Sequence, residues 1–592
     1  MSDLRPLAGE FPPADREQWQ ALAAKALSRG GREVSPDDVE ALMGTPTDDG
    51  YTVAALYTAA DDSNVREPER PGEPDFRRGE VVQGWQVRQR LEGLPGPSVI
   101  AEELAGGTQG LWLAPPVDRE AHDSVLSLIE GIDTGTTAVV LDALACPLSA
   151  HEALLRRFKE QGAAPGSGLG LDPIGNLAAT ARSGDVEGAV ELAGRVLGLD
   201  ADVTAFTIDA TVYHEAGASF GEEIGTAAAA GLSTMRRLIA AGIDVEDAAK
   251  LLEFRFAVTD DQFASIAKLR AARLVWNRVL EVAGVSEPAA QRQHAVTSWV
   301  MLSQRDVWVN ILRNTVAAFA AGAGGAQALT VLPHTAALAP ADEFARRVAR
   351  NISHLLLEES HVGAVVDPIG GSWYGERRTV EIATAAWEWL QELEGSGGLR
   401  RCLDSGVVGD RFDRTWRVKS DQIDQRSAPL TGVSEFPDDK RLTALPDPYV
   451  RPGGGLPKRR WAQGFEALRD RADAAVAAGR SVTVRLLALG SLAENSARVG
   501  FARNLFAAGG IDCEVVGVED DWPESGVVCA CGTDKAYEES LSDLLAGAPE
   551  AVSLYVAGKP KRGADRPDIT YIHVGCDATE ILEQTLARLE VS

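Results

Sequence analysis

Tyr213 and His214 are the side chains of this sequence with the best placement for chemistry. They follow the apolar run 205–209, at the carboxyl end of an expected strand, where parallel barrels hold catalytic groups. A phenol beside an imidazole suits acid–base and hydrogen-bonding work. The competing reading is a pair hydrogen-bonded inside a closed site. Gln327, at the start of the run 327–332, carries the same two readings. His354, Glu358 and His361 stand at helical spacing, but a dinuclear bundle site needs a second Glu-x-x-His, and none pairs with them. They read as the edge of a helix. Cys529 and Cys531 are too close for paired zinc ligands and have no second pair, so no metal is expected. The glycine-rich stretches 166–171 and 322–325 lack the strand-turn-helix setting of a dinucleotide fingerprint. The loop 558–563 lacks the Ser or Thr of a phosphate loop.

Short apolar runs at 110–114, 138–142, 168–172, 205–209, 254–258, 294–300, 327–332 and 363–367 must position these groups. Helical stretches separate several of them, the longest at 221–241 and 261–282. Eight such runs predict a (β/α)₈ TIM-type barrel over residues 81–410. Residues 1–80 mix a helical stretch (15–27) with a Pro-rich polar run (61–74) and read as an arm lying against another surface. Residues 411–480 are rich in Pro, Asp and Arg and read as a linker. Residues 481–592 carry runs at 482–489, 513–518, 527–531, 553–557 and 571–575, with helices expected at 497–508 and 578–589. That order predicts a doubly wound, flavodoxin-like domain, whose ligand would sit at the Gly490 turn after the first strand.

At 592 residues the chain is too long for one core. With 45% hydrophobic and 24% charged residues it is ordinary globular protein. A net charge of −29 argues against nucleic acid, whose phosphates need a basic face. No apolar run reaches the roughly 18 residues of a membrane span, and the first residues lack a signal-peptide core. A cytoplasmic protein with no membrane association is expected. The six cysteines (Cys146, Cys402, Cys513, Cys529, Cys531, Cys576) then read as buried free thiols in a reducing compartment.

The stretches 344–351, 366–374 and 213–218, set in this barrel order, resemble the methylmalonyl-CoA mutase family. Residues 7–12 with Glu17, Gln18 and Trp19 resemble in particular the small, non-catalytic subunit of the heterodimeric bacterial enzymes. The departures from catalytic members point the same way. Their Trp-x-x-Arg-Gln-Tyr motif reads here from Trp85 to Arg90, so Arg90 replaces the Tyr. Their Thr-His-Arg-Gly segment is absent, and residues 113–116 run straight on. Gly-His-Thr-Gln-Ser becomes residues 324–328, keeping Gln327 and losing the His. The cobalt-binding Asp-x-His-x-x-Gly of the C-terminal domain aligns with Ala493, Asn495 and Arg498, none of which matches.

The resemblance therefore implies a subunit without cobalamin and without a working site, with Tyr213, His214 and Gln327 as remnants. Adenosylcobalamin and acyl-CoA would be bound by a catalytic large subunit, which interconverts succinyl-CoA and (R)-methylmalonyl-CoA. The alternatives are a self-sufficient acyl-CoA mutase with altered cobalt ligation and a non-enzymatic regulatory homologue. Catalytic members thread coenzyme A along the barrel axis; bulky strands such as 139–141 and 206–208 predict a plugged barrel instead.

Overall fold

The computed structural model describes residues 14–30, 33–62, 70–73, 75–80, 84–115, 122–144, 146–442, 454–560 and 569–591. The segments 7–12 and 63–69, Pro116 and the second half of the 558–563 loop lie outside them. Eight parallel strands close into a barrel: Gln86–Glu92, Gly110–Ala114, Ala138–Leu141, Gly168–Leu171, Thr204–Asp209, Leu252–Val258, Gln293–Thr297 and Ala328–Thr330. Each pairs with the next, and the last pairs with the first.

Seven of the expected runs form these strands; the eighth does not. Residues 362–364 form a 3-10 turn after the π-helical turn Leu355–Glu359, and Val365 is 62% exposed, so no sheet covers it. The missing strand is Gln86–Glu92. Its composition hid it: Arg88 and Arg90 point into the barrel and find charged partners there, so the strand shows no apolar alternation.

Outward-facing residues build the main core. Phe254 meets Trp276 of the helix Gln262–Ala283 at 4.6 Å between ring centroids. Gly231 allows the helix Phe220–Ala240 to pass over both rings, because a Cβ there would lie 2.8 Å from Phe254 and 2.9 Å from Trp276. That helix opens on a capping box of Ser219 and Glu222. Asp49, between the short strands Thr45–Pro46 and Thr52–Val53, accepts from Ser219 Oγ at 2.5 Å and from the Gly221 amide at 2.9 Å. The hairpin is thereby pinned to the helix start, and Arg378 adds a bond to the Tyr51 hydroxyl at 2.6 Å.

The helices Val407–Asp424 and Gln463–Ala477 occupy the two ends of the 411–480 stretch. Beyond them a five-stranded parallel sheet has the order Asp512–Val516, Thr483–Ala488, Gly526–Cys531, Val552–Ala557, Ile569–Ile572. In chain order that is 2-1-3-4-5, the flavodoxin-like winding. Its first helix, Leu492–Ala508, starts earlier than residue 497 because Ser491 and Glu494 form a capping box directly after Gly490. Arg305 of the barrel reaches Asp473 at 2.6 Å and also pairs with Asp470, both on the helix Gln463–Ala477. No described helix is long and apolar enough to cross a membrane.

His151, buried under the strand Gly168–Leu171, donates from Nδ1 to the Leu169 carbonyl at 2.8 Å. Burial pushes its pKa from 6.5 down to about 4, so the fold holds it neutral. The unfolded chain binds its proton first, so this stability is complete above about pH 6.5 and is lost as pH falls toward 4. The loss should total about 3 kcal/mol. Urea unfolding from pH 7 to 4.5 should show a shallower decline for His151→Gln than for the parent; equal slopes would refute this.

Candidate functional site

The barrel axis holds a column of charged and aromatic groups. Arg88 Nη1 contacts both oxygens of Glu253 at 3.0 Å, and its Nη2 donates to the Gly166 carbonyl at 2.9 Å. One layer higher, Arg255 donates from Nη1 to Asp209 at 2.7 Å and from Nε to His294 Nδ1 at 3.0 Å. That bond makes Nδ1 the acceptor, so His294 Nε2 carries the hydrogen and donates to Thr330 Oγ at 2.8 Å. Thr330 passes a hydrogen on to the Arg88 carbonyl at 2.7 Å. Burial, with Arg88 and Arg255 alongside, keeps His294 well below its ordinary pKa and therefore neutral.

Trp112 closes the column. Arg255 lies 3.7 Å from the centre of one indole ring and Arg90 4.4 Å, while His294 meets the indole edge-on at 5.6 Å. The barrel is plugged, as the strands predicted, but not by the residues that suggested it. Val139, Leu141, Phe206 and Ile208 join the hydrophobic core, whereas their neighbours Val140 and Thr207 share the inward face with Trp112 and Glu253. Sequence reasoning missed the column because its members lie on separate strands. The acidic strand end at Asp209 and the two arginines of the first strand were the available signals.

Above the plug, at the carboxyl end of the strands, lies a cavity of about 220 Å³. Its apolar wall includes Leu91, Leu94, Val212 and Leu332, and its polar lining includes Arg90, Asp142, His214 and Ser298. Burial raises the Asp142 carboxyl above its ordinary value, against the opposing pull of Arg90 and Arg255. Asp172 is pushed up to about 7 by burial, although the Asp209 and Gly175 amides donate to it at 3.0 and 2.8 Å.

Of the three side chains singled out in the sequence, His214 alone lines this cavity. Tyr213 is buried in the core, 6.4 Å from the Phe412 ring. Gln327 lies at the opposite, amino end of the barrel, where its side-chain oxygen accepts from the Gln293 amide at 2.8 Å. His354 contacts Glu358 at 3.1 Å on the helix edge, and the described residues contain no cluster able to hold a metal. The Cys529 and Cys531 sulfurs are 4.0 Å apart and fully buried, and burial pushes the Cys529 thiol far up.

At the Gly490 turn of the second domain, Asn495 is buried and donates to the Gly490 carbonyl at 3.1 Å. Arg498 crosses the space beyond the strand ends to bond the Ala557 carbonyl and to pair with Asp534 at 2.5 Å. The Tyr537 ring lies beneath its guanidinium at 5.4 Å.

A closed parallel barrel followed by a 2-1-3-4-5 sheet, the barrel plugged and the Gly490 turn filled by arginine, defines a two-domain α/β chain. Residues 201–478 match the family model described as methylmalonyl-CoA mutase. The methylmalonyl-CoA mutase small subunit of Streptomyces virginiae is 41% identical over 612 residues, covering 99% of this chain and 98% of the relative. The small subunit of Propionibacterium freudenreichii subsp. shermanii is 32% identical, covering 100% and 98%. A methylmalonyl-CoA mutase of Escherichia coli is 28% identical over 71% of this chain and 64% of its own length. The chain belongs to the methylmalonyl-CoA mutase family.

The Arg88–Glu253 pair supplies the test of the plug. Glu253→Leu strands a buried guanidinium and should cost about 3–5 kcal/mol in urea unfolding. Adding Arg88→Met should recover most of that loss. Additive losses in the double variant would show that the pair is not the coupled unit described.

Proposed function

We propose that this chain is the non-catalytic small subunit of an adenosylcobalamin-dependent methylmalonyl-CoA mutase. It supports a catalytic large subunit that interconverts succinyl-CoA and (R)-methylmalonyl-CoA. The carrying observation is the column from Arg88 to Trp112: an axis filled with paired charges leaves no room for a pantetheine chain. The comparisons support the reading, because relatives named small subunit align over essentially their whole length, and the E. coli mutase over 64% of its own.

Cobalamin belongs on the partner in this reading. The residues at the Gly490 turn do not fit a cobalt corrin: Asn495 is committed to Gly490, Ala493 has no polar group, and Arg498 fills the space beside Ala557. An amide is a poor transition-metal ligand beside imidazole. The acyl-CoA substrate likewise belongs to the large subunit, and Tyr213, His214 and Gln327 are not part of a mutase site here. We assign residues 1–80 as an arm that contacts the partner, 81–410 as the barrel, 411–480 as the connection and 481–592 as the degenerate cobalamin-type domain. We assign the chain to the cytoplasm, a reading supported by its free cysteines and by the lack of a described helix able to cross a membrane.

Visible absorption tests this directly. The chain alone and with its catalytic homologue should each be incubated with adenosylcobalamin and desalted. The expected result is a colourless lone chain and a red, active complex with one corrinoid per heterodimer. A red lone chain would overturn the reading, as would failure to associate with the homologue.

A further inference from the structure

Ser298, His214 and Glu223 stand within contact distance of one another, in that order, at the mouth cavity. Ser298 directly follows the strand Gln293–Thr297, and His214 sits on the turn of helix Thr211–Glu215. Glu223 is in the first turn of the helix Phe220–Ala240. Ser298 Oγ is 2.7 Å from His214 Nε2, and His214 Nδ1 is 3.3 Å from Glu223 Oε2. The Val300 amide donates to Ser298 Oγ at 3.1 Å, which leaves the hydroxyl hydrogen to point at Nε2.

Glu223 is fixed from two further sides. Lys268 pairs with one oxygen, and the Ala257 amide donates to the other at 3.1 Å. Burial opposes its charge, but Lys268 and His214 hold the carboxyl below its ordinary value, so it stays ionised. His214 Nδ1 has no aligned hydrogen bond, so the ionised carboxylate 3.3 Å away acts on it through charge, which favours the imidazole hydrogen on Nδ1 and leaves Nε2 to accept from Ser298. Nucleophile, base and orienting carboxylate stand in the order of a hydrolytic triad. Ser298 and His214 both line the 220 Å³ cavity, together with the apolar Leu91, Leu94, Val212 and Leu332 and the charged Arg90 and Asp142.

We propose that this chain hydrolyses small acyl esters or thioesters at Ser298, an activity independent of the mutase rearrangement and of the partner. Ser298 Oγ attacks the acyl carbonyl, and its proton passes to His214 Nε2. That proton then leaves with the alcohol or thiol as the carbon–oxygen or carbon–sulfur bond breaks. Water, deprotonated by the same nitrogen, cleaves the acyl-serine, releasing the carboxylic acid and restoring Ser298. Atoms and charge balance with water as the only co-reactant. The cavity's size and apolar wall select a short aliphatic acyl group. Glu223 and Lys268 are positioning residues.

The full-length chain should be treated with a fluorophosphonate probe and digested, and assayed in parallel with p-nitrophenyl butyrate. Phosphonylation of Ser298 is expected, together with hydrolysis that Ser298→Ala or His214→Gln lowers about 100-fold or more. Glu223→Gln should slow labelling about 10-fold and move its pH profile, which a purely structural loss would not do. Absence of label on Ser298 in the unmodified chain overturns the proposal, and this does not depend on any variant folding. Undiminished hydrolysis by a folded Ser298→Ala does the same, and label without turnover overturns the hydrolytic step.

Discussion

The structure depends on what fills the barrel axis. Arg88 against Glu253 and Arg255 against Asp209 are ion pairs removed from water, stacked one above the other and capped by Trp112. Such pairs repay their desolvation only when the geometry is good and the remaining hydrogens are bonded. Here the Gly166 carbonyl and His294 Nδ1 each take one of those hydrogens. The guanidinium over the indole adds a desolvated cation–π contact worth roughly 2 kcal/mol. A barrel usually fills its centre with branched aliphatics. This one fills it with paired charge, and Thr330 Oγ of the last strand donates to the Arg88 carbonyl of the first.

The same device recurs where the two domains meet. Arg305 turns its guanidinium from the barrel mouth to Asp470 and Asp473, and Arg441 joins Asp473 at 3.0 Å. The Gln304 amide donates to Glu466 at 2.6 Å, and Glu466 also pairs with Arg460 at 2.6 Å. Arginine also crosses the top of the second sheet, where Arg498 binds Ala557 and Asp534. In each place a planar guanidinium with several donors ties its own segment to groups on another, with a fixed geometry that a lysine ammonium lacks.

Much of the architecture was legible in the chain. Runs such as 110–114 and 138–142 are apolar on both faces because helices cover one side and the plug the other. Helix starts were marked by caps: Asp261 before Gln262–Ala283, Asp577 before Ala578–Arg588. The failures have equally local causes. Gln86–Glu92 carries two arginines whose partners are far away in sequence, so it resembled no strand. Residues 363–366 are apolar, but Ala364 and Val365 are exposed, so the run resembled a strand without being one.

By itself the sequence determined seven of the eight barrel strands and the division into a barrel and a doubly wound domain. Those properties are written in periodicity and residue identity, which are local. Only the tertiary structure decided that Gln327 and His214 lie at opposite ends of the barrel, that Arg90 and Arg255 share one indole, and that Ser298 meets His214. Each of these joins residues tens to hundreds of positions apart. Closing the barrel sets their distances, and no local pattern records them.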